Sequence, residues 1–203
     1  MITYTNQRYE PDGRLCGGPI TNQRTIGNAV TMLVRNDLAW GGCISEITPT
    51  KIVTRTSCMG FGISRYDITS YEGSEEEMRP LMLAVAAYHE VRGIKGKDVA
   101  EQFANSLSAA GINKPIHVSM MSSLMGNSFV LPVLCAVAGL TPEQAQTFQQ
   151  ETARLIDAEE EAQKAKPYSY RRTRTSITSD IQDTIMAMVI EGGKLEEALE
   201  AAV

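Results

Sequence analysis

At 203 residues and 22.2 kDa the chain has room for one ordinary core with an appended helical arm, and is short for two full domains. Hydrophobic residues at 43% and charged residues at 21% exclude a disordered chain, and a net charge of −5 with a pI near 5.2 argues against a dedicated polyanion binder. Cys16, Cys43, Cys58 and Cys135 include no close pair, so neither a disulfide framework nor a zinc site is suggested. Met1 to Arg8 lacks the layout of a secretory signal, and the longest apolar run, Phe129 to Leu140, falls short of the roughly 20 residues of a membrane-spanning helix. The expectation is a cytoplasmic protein with reduced thiols, no membrane segment and no cofactor.

Residues 1–73 are rich in Thr, Ile, Val and Tyr and are punctuated by glycines, a composition of short strands and turns. The strongest hairpin is Cys43 to Thr48, then Pro49 and Thr50, then Lys51 to Thr56, because Pro49 fixes φ and removes a donor between two β-favouring runs. Arg65 to Tyr71 is a further strand. Ala29 to Arg35 reads as strand or helix, since its apolar residues do not alternate cleanly. The tetrad Thr5 to Arg8 recurs as Thr21 to Arg24, and its sixteen-residue spacing is too short for a repeat module. Chance or two similar turns accounts for it.

From Ser74 the pattern becomes helical. Ser74 and Glu77 form a capping box opening a helix to about Val91, with Pro80 expected near its first turn. Val99, Phe103, Leu107 and Ala110 fall at helical spacing before Gly111, giving a second helix over Lys97 to Ala110. Phe129 to Ala138 is apolar on every side and reads as a central core helix ending at Gly139. Thr141 as cap, Pro142 at the first position and Gln144 closing a capping box then start a long helix with a narrow apolar stripe. Ser179 with Gln182 predicts another capped helix, its face made by Ile181, Ile185, Met188 and Val189, and Leu195 to Ala202 a last short one.

Charge is unevenly distributed. Met1 to Pro142 is neutral, Glu143 to Gln163 carries −5, Lys164 to Arg174 carries +5 and Thr175 to Val203 carries −5. Lys164, Lys166, Tyr168, Tyr170, Arg171, Arg172 and Arg174 offer cations for phosphates and rings for base stacking, or else neutralise the acidic helices on either side. The equal and opposite flanking charge favours self-pairing. Cys58 to Gly62 is the most site-like loop, where glycines admit a ligand and a thiol could act as nucleophile, with His89 as its base. Its spacing is not a dinucleotide fingerprint, because Arg65 stands where a third glycine is required. Against the catalytic reading, free cysteine commonly behaves as a small apolar residue, and a histidine at a helix end commonly interacts with carbonyls and the dipole. His117 has no second ligand nearby. Met120, Met121 and Met125 suit gap-filling.

These readings give an α+β fold, in which an N-terminal antiparallel β-meander is packed by central helices and followed by a helical C-terminal arm. Residues 1–139 form the core (strand-rich 1–73, helical 74–139) and 140–203 the arm, with 164–174 as its basic connector. The expected function is an intracellular interaction or assembly protein that forms a homo-oligomer through the C-terminal helices and the Ile181 to Val189 face, on a −5, +5, −5 pattern suited to two-fold antiparallel pairing. A small enzyme using Cys58 and His89, and nucleic-acid contact through 164–174, are the alternatives.

Overall fold

The hairpin read from Pro49 and Thr50 forms one side of the sheet in the computed structural model, which describes residues 1–39, 41–60, 63–92, 97–112 and 129–202, without the side chains of 58–60, 63–64 and 97–100. Strands β1 (Ile2–Tyr9), β2 (Ile20–Arg24), β3 (Cys43–Thr48), β4 (Lys51–Gly60) and β5 (Ile63–Glu72) form one antiparallel sheet in the order β2-β1-β5-β4-β3. Three of them, β3, β4 and β5, follow one another as a meander, and the β1–β2 hairpin joins it through β1. The recurring tetrads are neighbouring strand segments rather than two similar turns. Thr5 lies opposite Thr21, their hydroxyls 3.3 Å apart.

Between β2 and β3 the chain leaves the sheet for α1 (Ile26–Met32), which runs directly into a π-helical turn, Leu33–Leu38. The open choice at Ala29 to Arg35 therefore resolves as helix. Ala29, Val30, Leu33, Val34 and Leu38 are all buried, so apolar residues spaced three and four apart follow the helical period rather than a strand's.

Helix α2 (Glu75–Arg92) starts where the capping box places it. Glu77 N–H donates to the Ser74 hydroxyl at 3.3 Å, and the Glu77 carboxylate accepts from Ser74 N–H at 3.0 Å. Pro80 is its sixth residue, inside the helix and beyond the first turn where it was expected. Helix α3 (Lys97–Ala109) ends at Gly111, whose φ of 68° is the left-handed stop foreseen for it. Helix α4 (Val130–Val137) is apolar all round and buries Val130, Pro132, Val133, Leu134 and Cys135. Helix α5 (Pro142–Lys164) shows the complete capping box at Thr141 and Gln144.

One boundary needs correcting. Helix α6 (Arg174–Ile190) begins five residues before Ser179, because Thr173 caps it by accepting from Ser176 N–H at 3.2 Å. The linker after α5 is correspondingly short, containing a single 3₁₀ turn at Tyr168–Tyr170, and α7 (Leu195–Ala201) closes the described chain. The C-terminal helices share the sheet's core, since Ala145, Phe148, Leu155, Ile185, Met186, Val189, Leu195 and Ala198 belong to the same cluster as Ile2, Ile47, Ile52 and Tyr71. Contact between α1 and α6 is closest at Gly27. A Cβ there would lie 2.2 Å from the Ala187 carbonyl oxygen, so only glycine allows the two backbones to meet.

Candidate functional site

Residues alternate faces along each strand, so the register sorts the helix-facing side of the sheet into rows. The row of Tyr4, Tyr71, Ile52 and Ile47 is largely apolar. The next, Asn6, Thr69, Thr54 and Ile44, is mostly polar, and the one after it, Arg8, Asp67 and Thr56, is wholly so. The face that should supply core thus becomes polar halfway along.

Asp37, delivered by the π-helical turn, sits where that change occurs. It is 5% exposed, and its Oδ2 accepts from the hydroxyl of fully buried Tyr71 at 2.7 Å. Such turns recur at functional sites because the extra residue re-aims a side chain that an α-helix would point elsewhere. Burial pushes the Asp37 carboxyl up to about 6, with the Tyr71 hydroxyl pulling the other way. Burial likewise raises Tyr71 well above its ordinary value, reinforced by the neighbouring Asp37 charge. The Thr54 and Thr69 hydroxyls also draw the Asp37 carboxyl down, while Thr56 buries its hydroxyl oxygen without a hydrogen-bond partner among the described residues.

Beyond Asp37 the polar rows close on themselves. Arg8 makes a two-pronged contact with Asp67 at 2.7 and 2.8 Å, and Arg65 reaches Glu10 at 3.1 Å. Glu10 also accepts from the Cys16 thiol at 3.2 Å, which holds that carboxyl below its usual range, and burial with this hydrogen bond raises the thiol. A raised thiol pKa removes Cys16 as a ready nucleophile.

Cys58 pairs in register with Arg65 near the end of β4, but its side chain lies outside the described residues, as do Phe61 and Gly62 of the same loop. Its relation to His89 falls outside them too. His89 lies in the last turn of α2 with its ring edge-on to Phe103 at 5.3 Å, and its Nδ1 is buried without a described hydrogen-bond partner. His117 and Met120, Met121 and Met125 are also outside the described residues.

The basic segment is turned back on its own chain. Lys164 contacts Glu161, Arg172 contacts Asp180, and Arg174 contacts both Asp157 and Glu160. Arg171 donates instead to the carbonyls of Lys164 and Lys166, each at 2.9 Å, which secures the end of α5. Tyr168 and Tyr170 are 87% and 75% exposed. Beside this segment, Leu155, Ala158, Glu159, Arg172, Ile181 and Ala202 line an open cleft of about 400 Å³.

Sequence reasoning missed Asp37, a single acid after an apolar stretch with no motif around it. The one available signal was a charge interrupting the run from Ala29 to Ala39. Among the described residues no cluster of three or more His, Cys, Asp or Glu could hold a metal, and no helix is long and apolar enough to cross a membrane. Comparison with known family models, with curated proteins and with solved structures finds no match to this chain.

Proposed function

We propose that this chain is an interaction protein that self-associates edge to edge through β2. The observation carrying this reading is the asymmetry of the two sheet edges. On one side α3 packs against β3, and the Ser106 hydroxyl donates to the Ile47 carbonyl at 3.2 Å. On the other, Ile20, Thr21, Asn22 and Gln23 are all exposed, Ile20 at 61%, with Leu15 at 50% in the loop before them. An uncovered edge presents a row of unpaired N–H and C=O groups, and β2 has no proline, lysine or bulge within it to discourage pairing.

A second copy suits this strand. A two-fold axis at Asn22 sets Ile20 against Arg24, Thr21 against Gln23 and Asn22 against itself, so the strand's one charge never meets its own kind. Arg24, whose guanidinium sits over the Tyr4 ring of its own chain, then faces the exposed Ile20 of the second copy. The result is a continuous ten-stranded sheet. Five-residue pairing buries less than the ~1,000 Å² of a standing interface, so the association is weak and concentration-dependent. Of the face expected on the C-terminal helices, Ile185 and Val189 are buried within the chain while Ile181 is half-buried and Met188 37% exposed, and Arg172 and Arg174 already face acids of their own chain.

Sedimentation over a range of protein concentrations tests the reading. The mass is expected to rise toward a dimer in the native chain, and to stay monomeric in Ile20→Lys and Asn22→Pro with an unchanged circular dichroism spectrum. A monomer at every concentration, or unchanged association in both variants, overturns it.

A further inference from the structure

We propose that the cleft beside the basic segment binds a small organic ammonium with an apolar body, its charge held by Glu159. The cleft opens where three helices meet. Leu155, Ala158 and Glu159 come from α5, Arg172 from the linker before α6, Ile181 from α6 and Ala202 from the end of α7, and together they line about 400 Å³. That volume lies within the roughly 300–1,000 Å³ of small-molecule sites, and the lining is of the usual kind, mostly apolar with a few polar groups.

The sequence explains why the space is left. Leu155, Ala158 and Glu159 are spaced three and four apart and so share one face of α5. On α6, Ile177 and Ile185 are fully buried, whereas Ile181, between them on the same stripe, is only half-buried. The stripe opens at its middle member because α5 and α7 bring the small side chains of Ala158 and Ala202 to it. Apolar area is thereby left in water, and the carbon body of a ligand can cover it.

Charge selects the ligand. Most acids around the cleft are met within the chain, since Arg174 contacts Asp157 and Glu160, Lys164 contacts Glu161, and Arg172 contacts Asp180. Glu159 is the exception. Its carboxylate accepts from the Gln163 side-chain amide and meets no cation among the described residues. Gln163 is only 3% exposed, and its side-chain oxygen accepts from Arg172 N–H at 3.3 Å. One buried amide thus fixes both the carboxylate and the linker backbone, so the site is formed before a ligand arrives. The Arg172 guanidinium is already engaged by Asp180 and by the Ser176 carbonyl. What remains is one negative charge on an apolar lining. An ammonium can donate to that carboxylate while its body covers Leu155 and Ile181, whereas a metal ion would need more oxygens than one carboxylate supplies.

The test follows the amide resonances of the intact chain by NMR during titration with phenethylammonium, with 3-phenylpropanoate and methylammonium as controls at equal ionic strength. Phenethylammonium is expected to shift Ala158, Glu159, Ile181 and Ala202 saturably with a Kd of ~1 mM, and the anion and the cation without an apolar body to bind at least about tenfold more weakly. Glu159→Gln, which can still accept from Gln163, should weaken binding about tenfold. Ala158→Leu, at an exposed helical position, should fill the cleft and abolish binding with an unchanged circular dichroism spectrum. No saturable shift at these residues, equal binding of the anion, or unchanged affinity in either variant overturns the proposal.

Discussion

Replacing Asp37 by Asn should change how stability depends on pH, in the direction opposite to the usual carboxylate. In the folded chain burial lifts this group from an ordinary 3.8 to about 6. The folded state therefore binds the proton more tightly than the unfolded state does. Below pH 3.8 both states are protonated and the group costs nothing; as pH rises toward 6 the unfolded chain ionises first and stability falls. At 1.36 kcal/mol per unit, the full loss is about 3 kcal/mol above pH 6. Asparagine cannot ionise, so the stability difference between Asp37→Asn and the native chain should swing by about 3 kcal/mol in the variant's favour between about pH 3 and pH 7.5. A pH-independent offset rides on top of it, since the new amide N–H groups need acceptors. Urea unfolding at a series of pH values measures the swing. A difference that stays flat across this window would refute the premise that Asp37 is buried ionisable and uncompensated.

Gly27→Ala drives a methyl into the Ala187 backbone and should cost about 2–4 kcal/mol in chemical denaturation, a large effect for one methyl group on a helix. Thr173→Ala should cost about 1 kcal/mol by removing the α6 cap, while Ser179→Ala, inside that helix, should stay within about 0.5 kcal/mol; equal effects would place the start of α6 elsewhere. Arg35 reaches Asp183 at 2.7 Å and joins the π-helical turn to α6 in a half-buried pair, so a double-mutant cycle with alanine should return a favourable coupling of about 1 kcal/mol.

The elements legible in the sequence were those whose signals are local. Thr141 and Gln144 satisfy each other's backbone N–H groups and Pro142 fits the first helical position, so the start of α5 could be placed to the residue. Ser74 with Glu77 and the Pro49 turn worked for the same reason. The Ser179 error shows the limit of the same rule. Ser179 and Gln182 match the box by composition, but Ile177 is fully buried two residues earlier, and that tertiary contact extends the helix back to its cap at Thr173. Non-local facts were illegible throughout. Nothing in residues 20–24 says that β2 ends at an open edge, and the charge blocks around 164–174 are equally compatible with pairing within one chain or between two.

The candidate site is where the strand pattern itself breaks down. β1 sends Ile2, Tyr4, Asn6 and Arg8 to the helix-facing side, so its inward residues run from apolar to charged within eight positions. β4 does the same with Ile52, Thr54 and Thr56, and β5 with Tyr71, Thr69 and Asp67. A strand that only needed to bury a core would keep this face apolar to its end, because each polar residue there loses the hydrophobic contribution of a buried side chain and adds the cost of desolvation. Three adjacent strands depart from that pattern at the same height, and the one buried acid of the π-helical turn is aimed at that height. The last row opens to solvent, with Arg8 48% exposed, so exposure accounts for its charges; buried Thr54, Thr69 and Asp37 are the polar groups that exposure does not account for. The sequence shows each departure singly, as a weak strand or an ill-placed acid, and only the register brings them together.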